Sequence, residues 1–441
     1  MTPQRLAALA CVLVSASCSG SPGFAPPSRP AGAQAARGAL RAPRAQGKIQ
    51  HVVVIVQENR SFDDLFNGYP GANTVTRGRT STGGTIALKS VPLGTENSVD
   101  HLLSDYLKAY DGGKMDGFDL ELGGGAPQYY AYEKTRRADV RTYWDIATEY
   151  VLGDAHFPSN LDASFVAHQY LIAAQANDAV DVPTGAWGCS GGYDEIPTIT
   201  PQRTYGPNES PCFDYTTLAD ELDAAGLTWR YYAPAANTQG GIWSAFQAIE
   251  HIYQGGSGPQ WLANVISPET QVLDLGPDGK LDSVTWVVPS YPNSDHPGNN
   301  SDTGPAWVAS VVNAVGKSQY WDSTAIFVLW DDWGGLYDHM PPPQPDFDGL
   351  GIRTPLLCIS PYAHRGVVSH VRYESAGILR FIEDTFGLQP MAAADARATS
   401  AAKGCLDLTQ PPRRFHPFVT TRAKEYFAHQ KPDYRAPDTD F

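Results

Sequence analysis

The clearest pattern in the chain is a run of five β-branched residues, Val52-Val53-Val54-Ile55-Val56, with no polar residue alternating through it. A strand with one wet face alternates, so an unbroken run predicts a strand covered on both faces, as at the centre of a parallel sheet. Similar runs recur at Ser283 to Val288, Ala325 to Trp330 and Thr354 to Ser360. Between them, apolar residues fall at helical spacing over Tyr215 to Ala225, Trp307 to Val315 and Ala376 to Phe386. Strands alternating with helices predict an α/β fold: a mostly parallel central sheet flanked by helices. Gly185 to Pro211 carries little apolar patterning and reads as a long loop. No internal repeat is visible.

Ahead of this pattern, Arg5 precedes a short apolar run, Leu6 to Val14, followed by Ser15, Ala16, Ser17 and Gly20. That order predicts an export signal over 1–20, and the run is too short to span a bilayer. The competing reading, a buried first helix, is opposed by the Pro/Ala/Gly-rich stretch that follows. Residues 21–47 read as a flexible tether, and 48–441 as a single catalytic domain. The expected location is secreted or periplasmic. Cys18, after Ser15-Ala16-Ser17, faintly resembles a lipoprotein cleavage site, but Ser15 stands where such sites prefer leucine, so lipid anchoring is the minor alternative.

At 441 residues with 42% hydrophobic and 18% charged, the chain has an ordinary globular balance. Its net charge of −15, with no Lys/Arg run, argues against nucleic-acid binding. Export leaves Cys189, Cys212, Cys358 and Cys405 as mature cysteines, an even number that permits disulfides. Cys189 and Cys212 flank the Gly/Pro-rich loop and are the favoured pair. Cys358 lies in an apolar run and reads equally as a buried thiol or as a partner of Cys405.

Three of the predicted strands end in polar clusters: Gln57 to Asp63, Pro289 to Pro297, and Asp331 to His339. Ligands in open α/β sheets bind at the carboxyl ends of strands, so clusters that are unremarkable singly gain weight together. Glu58, Asn59, Asp331 and Asp332 would crowd three carboxylates unless a cation neutralises them, and an oxygen-rich set suits Ca2+, Mg2+ or Mn2+. Gly334-Gly335 predicts a turn after the aspartates and not a helix cap. Leu161 to Ile172 reads as a turn entering a helix with Ser164 near its start. Ser164 is then either an N-cap or a nucleophile activated by a metal at an anion-favouring helix end.

Glu58-Asn59-Arg60-Ser61-Phe62-Asp63, Gly113-Lys114-Met115-Asp116-Gly117-Phe118, Ala163 to Tyr170, Asp331 to His339 and Ile359-Ser360-Pro361-Tyr362 occur in order. Together they resemble the bacterial phospholipase C/acid phosphatase family of phosphoesterases. The resemblance implies an alkaline phosphatase-like sandwich, one metal ion and a serine or threonine nucleophile. Carried over by position, Glu58, Asn59, Asp331, Asp332 and Ser164 would hold the metal, and Ser164 would attack phosphorus. His101 and His296 would flank the phosphate, and Asp338 and His339 would stand behind the ligands. The chain departs from the family pattern at Asp332-Trp333, where many members have Glu-His, at Asp162-Ala163, where Gly-Pro is common, and near Tyr373-Glu374-Ser375, where many members have a histidine.

The expected function is thus a secreted, metal-dependent hydrolase of phosphate esters working through a phosphoserine intermediate. Its substrate is a phosphate ester, a phospholipid headgroup among the options. Trp229-Arg230-Tyr231-Tyr232 reads either as part of a headgroup pocket or as core. The alternative from another class is a secreted binding protein that keeps the fold without appreciable catalysis.

Overall fold

The computed structural model describes residues 47–183, 187–190, 195–275, 279–432 and 434. The expected export segment 1–20, the tether up to residue 46 and Cys18 lie outside the described residues. A nine-stranded sheet organises the chain. Its order from one edge is Val265–Ile266, Trp229–Tyr232, Val284–Val287, His51–Gln57, Thr324–Trp330, Thr354–Ile359 and Val151–Phe157. Val367–Ser369 and Tyr373–Glu374 share the far edge. Val52 to Val56 are at most 1% exposed and have parallel partners on both sides, as an unbroken apolar run requires.

The register shows which helices cover which face. Val54 pairs with Trp286 on one side and Phe327 on the other, so these three side chains share a face. Phe327 packs edge-on against Phe381 of the helix Ala376–Phe386, and the Trp286 indole donates to the Leu171 carbonyl of the helix Ser164–Ala173. Trp330, three residues on, points to the opposite face and meets Tyr143 of the helix Arg141–Glu149. That helix packs on Gly304–Gly316. Truncating a ring such as Phe327 to alanine would cost about 3–5 kcal/mol.

All four expected strands form, within a residue or two at each end. Thr354–Ile359, however, runs antiparallel to both neighbours. The physical reason is its connection. Residues 331–353 contain no helix to cross over the sheet, so the chain turns at the sheet edge and returns. Five strands of the sheet escape the hydrophobic pattern, two of them among its longer members. Val151–Phe157 contains Gly153, Asp154 and His156, yet is buried throughout. Its polar groups are paired: His156 Nδ1 lies 2.9 Å from Thr354 Oγ1, and Asp154 accepts from the Asn73 N–H at 2.9 Å. Burial pushes the His156 imidazole down to about 3. Trp229–Tyr232 is a core strand, not a pocket wall: Trp229 and Tyr231 are 1% exposed, and Arg230 pairs with Asp282 at 3.1 Å.

The stretch read as a loop over 185–211 contains an antiparallel hairpin, Ile196–Ile199 with Tyr205–Glu209. Cys189 and Cys212 are bridged, with Cα atoms 4.7 Å apart. Cys358 and Cys405 are buried and unbridged. Among the described residues no helix is long and apolar enough to cross a membrane.

Candidate active site

Three parallel strands, His51–Gln57, Val284–Val287 and Thr324–Trp330, end at one edge and deliver their polar clusters together. Backbone bonds extend the ladder past the strand ends: the Glu58 N–H donates to Ser294 O at 2.8 Å, and the Asp331 N–H to Gln57 O at 3.0 Å. Asn59 then takes a left-handed conformation, φ +50°, which asparagine tolerates better than most residues. The turn at Gly334 must be glycine. Its φ is +62°, and a Cβ there would fall 2.3 Å from the Asn59 carbonyl oxygen. The Gly334 N–H donates to Asp332 Oδ1 at 2.8 Å, so the two aspartates end a strand and open a turn, not a helix.

Ser164 arrives from another direction. The helix Ser164–Ala173 is buried all round, and its N-cap is Ala163. Ala163 sits at φ +24°, a strained entry for a residue with a Cβ. Ser164 is therefore the first helical residue and not the N-cap. It faces the strand ends instead: Oγ lies 3.1 Å from Asn59 Nδ2, 3.4 Å from Asn59 Oδ1 and 3.2 Å from Asp332 Oδ2. The N-cap reading of Ser164 thus gives way to a hydroxyl aimed at two of the expected ligands. The first N–H groups of a helix lack intrahelical partners, so anion-binding donors accompany this hydroxyl. Burial, and then Asp181, push the neighbouring Asp162 carboxyl well above the usual carboxylate range.

The expected ligands form two adjoining groups. In one, the Asn59 amide donates to Asp332 Oδ1 and Oδ2, both at 3.1 Å, as well as facing Ser164. In the other, Glu58, Asp331 and His168 bring ligand atoms within 4.8 Å of one another, with His168 Nε2 3.0 Å from Glu58 Oε1. The Asn59 N–H, donating to Asp331 Oδ1 at 3.2 Å, joins the groups. Glu58, Asn59, Ser164, Asp331 and Asp332 are all at most 1% exposed. Asp331 Oδ2 receives no hydrogen bond and lies 3.8 Å from His168 Nε2. Three buried carboxylates, one with an oxygen lacking a donor, fit a hard divalent ion that supplies the charge the imidazoles alone do not.

His168 is the member that the sequence reading passed over. It lies four residues after Ser164, so both project from one face of one helix, and that spacing was the available signal. His101 Nδ1 donates to Val99 O at 2.8 Å, which leaves Nε2 facing the Asn59 amide at 2.9 Å. His296 Nδ1 donates to Pro297 O at 2.7 Å, and its ring lies 6.4 Å from that of His101. Each imidazole thereby carries a hydrogen on Nδ1, which leaves Nε2 as the atom that can take or give a proton. Trp333 packs edge-on against His101 at 5.7 Å. Asp338 and His339 are bonded to Asp63 and Arg353. Asp338 accepts from the Arg353 Nε at 3.0 Å and the Asp63 N–H at 3.1 Å, and His339 Nδ1 pairs with Asp63 at 2.5 Å.

At the ends of a largely parallel α/β sheet the structure thus gathers a helix-borne serine among buried carboxylates. Residues 49–389 match the model of the Phosphoesterase family, and the chain belongs to that family. It is 24% identical over 405 residues to the hemolytic phospholipase C of Pseudomonas aeruginosa, covering 77% of this chain and 53% of that protein. It is 24% identical over 406 residues to phospholipase C B of Mycobacterium tuberculosis, covering 77% and 74%. The chain thus spans about half the length of the first of these relatives and about three quarters of the second. Among solved structures it is similar to a protein in the alkaline phosphatase superfamily from Vibrio parahaemolyticus, with 13% identity, 85% and 73% coverage and a TM-score of 0.37.

Proposed function

We propose that the chain is an exported, metal-dependent phosphoric ester hydrolase, phospholipase C-like or acid phosphatase-like, in which Ser164 is the nucleophile. The observation that carries this reading is the Ser164 hydroxyl: on the first residue of a buried helix and 3.2 Å from the Asp332 carboxylate. Asp332 Oδ2 accepts the hydroxyl proton as Oγ attacks phosphorus in line with the leaving oxygen. The bond from phosphorus to Ser164 forms, the bond to the leaving alcohol breaks, and that oxygen takes a proton from an imidazole, His101 or His296. Water then attacks the phosphoserine and gives its proton to that imidazole, the bond from phosphorus to Ser164 breaks, and Ser164 Oγ takes back the proton held by Asp332. The helix N–H groups stabilise charge on the phosphoryl oxygens throughout.

Glu58, Asn59, Ser164, Asp331 and Asp332 would hold one divalent ion, Ca2+, Mg2+ or Mn2+, and His168 would orient Glu58. Such an ion lowers the proton affinity of a serine hydroxyl and neutralises phosphoryl charge. The substrate class is a phosphate ester, with a phospholipid headgroup diester and a phosphomonoester as the two forms to separate. Export is supported by the pattern of residues 1–20 and by the Cys189–Cys212 bridge, which persists in oxidising compartments.

Turnover of p-nitrophenyl phosphate and p-nitrophenyl phosphorylcholine, before and after chelation, tests the reading. At least one substrate should turn over, lose turnover with chelator and regain it with added ion. Inactivity toward both under every ion would favour the binding-protein alternative, and full activity in demonstrably ion-free protein would overturn the metal.

A further inference from the structure

Beside His296 lies a buried carboxylate that the proposed chemistry does not use. Asp295 is 1% exposed and takes a left-handed conformation, φ +73°. A turn needing that conformation is more cheaply made with glycine or asparagine, since neither buries a charge. Here the charge is held from three directions. Tyr143 Oη donates to Asp295 Oδ2 at 2.6 Å, the Trp330 indole at 3.2 Å and the Gln57 amide at 3.4 Å. The main chain is held as well, since the Asp295 carbonyl accepts from Arg60 Nε at 2.7 Å. Burial pushes the Asp295 carboxyl up to about 6, while its donors pull the other way.

These donors come from separate parts of the fold. Tyr143 is on a helix of the sheet face away from Ser164's helix, and Gln57 and Trp330 end two neighbouring strands. Gln57 also donates to Asn293 O at 3.1 Å, and Ser294 O accepts from the Glu58 N–H at 2.8 Å. The segment from Asn293 to Asp295 is thus tied, residue by residue, to the strand ends that carry Glu58 and Asp331. The next residue along is His296, its imidazole stacked against Trp243, tilted against Tyr291 and 6.4 Å from His101.

We propose that Asp295 is a positioning residue, whose carboxylate, clamped by Tyr143, Trp330 and Gln57, fixes the turn that presents His296 to the Ser164 site. The inference rests on the roles of Ser164 and His296 given above. It also assigns Tyr143, on a distant helix, a part in the reaction through Asp295.

A double-mutant cycle in the full chain tests it, with Asp295→Asn, His296→Ala and the pair together. Asparagine keeps the shape and tolerates the backbone but presents an N–H2 where the carboxylate now meets donors. The expected result is a ten- to hundredfold fall in kcat with KM changed less than threefold, and a double variant no slower than His296→Ala alone. A merely structural role would give a loss that carries over in full to the His296→Ala background, and that result, or a wild-type Asp295→Asn, would overturn the proposal. Tyr143→Phe keeps its ring against Trp330 and removes one donor. It should show the same non-additivity with a smaller fall, and it serves should Asp295→Asn fail to fold. Ser164→Ala, measured alongside, separates the two levels. Turnover surviving there overturns the reading of the site, whereas its loss beside a wild-type Asp295→Asn overturns only the clamp.

Discussion

Replacing Asp331 with asparagine should affect stability in opposite senses with and without a bound ion. Asp331 Oδ1 accepts the Asn59 N–H at 3.2 Å, and the asparagine oxygen would keep that bond. Oδ2 receives no hydrogen bond and lies in a ligand set, with Glu58 and His168, spanning at most 4.8 Å. Two unit charges at that distance repel by about 3 kcal/mol at an effective dielectric of 20. His168, when it carries a proton, offsets part of this, so the relief in ion-free protein is on the order of 3 kcal/mol. A bound ion should stabilise the wild type by about 4 kcal/mol at a thousandfold excess over Kd, and a weakened site would forgo most of that. The assay is thermal melting in chelator and in saturating Ca2+, Mg2+ or Mn2+, read at roughly 1 °C per kcal/mol for a chain this size. Asp331→Asn should melt a few degrees above the wild type in chelator and respond little to any ion, while the wild type rises by several degrees. A variant that melts below the wild type in chelator, or that gains as much as the wild type from the ion, would refute the reasoning.

Other perturbations probe different parts of the account. Gly334→Ala, at φ +62° and with its Cβ 2.3 Å from Asn59 O, should cost about 1–2 kcal/mol in backbone strain alone and lower kcat by displacing Asn59, checked by melting and kinetics. Cys189→Ser with Cys212→Ser opens a cross-link between residues 23 apart and should cost about 3 kcal/mol, read from the denaturant midpoint. Burial, and then Asp178 and Asp346, raise the Asp348 carboxyl to about 6, above its ordinary 3.8. The folded state therefore holds that proton more tightly, and this contribution to stability is complete below about pH 4 and lost as pH rises through about 6. Asp348→Asn should match the wild type at low pH and exceed it by about 1–2 kcal/mol at pH 8, after discounting for solvent screening.

How far the sequence foretold this site depends on what kind of physics each part obeys. Val52 to Val56 announced a central strand because burial on both faces leaves no room for a polar residue. Val151–Phe157 was hidden because its polar side chains are satisfied by residues far off in sequence, such as Thr354 for His156 and Asn73 for Asp154. The reversal of Thr354–Ile359 was hidden too, since direction is set by what fills residues 331–353 and not by the strand's own pattern. Glu58, Asn59 and the aspartate pair stood out as polar residues at the ends of apolar runs, whereas Ser164, at the start of a helix, read as an N-cap or a nucleophile until the family resemblance singled it out. His168 was visible in principle at helical spacing from Ser164, but its histidine looked like one more residue of a buried helix. Nothing local pointed to Tyr143 as a partner of Asp295, because the two are 152 residues apart and meet only through the sheet.

The central claim is that Ser164 carries the phosphoryl group, and the direct measurement is acid quenching during turnover of p-nitrophenyl phosphate followed by mass analysis of the peptides. The account predicts one added phosphoryl group on the peptide containing Ser164, and none in Ser164→Ala, whose turnover should fall by several orders of magnitude. A phosphoryl group on another residue, or a Ser164→Ala variant within tenfold of the wild-type rate, would contradict it.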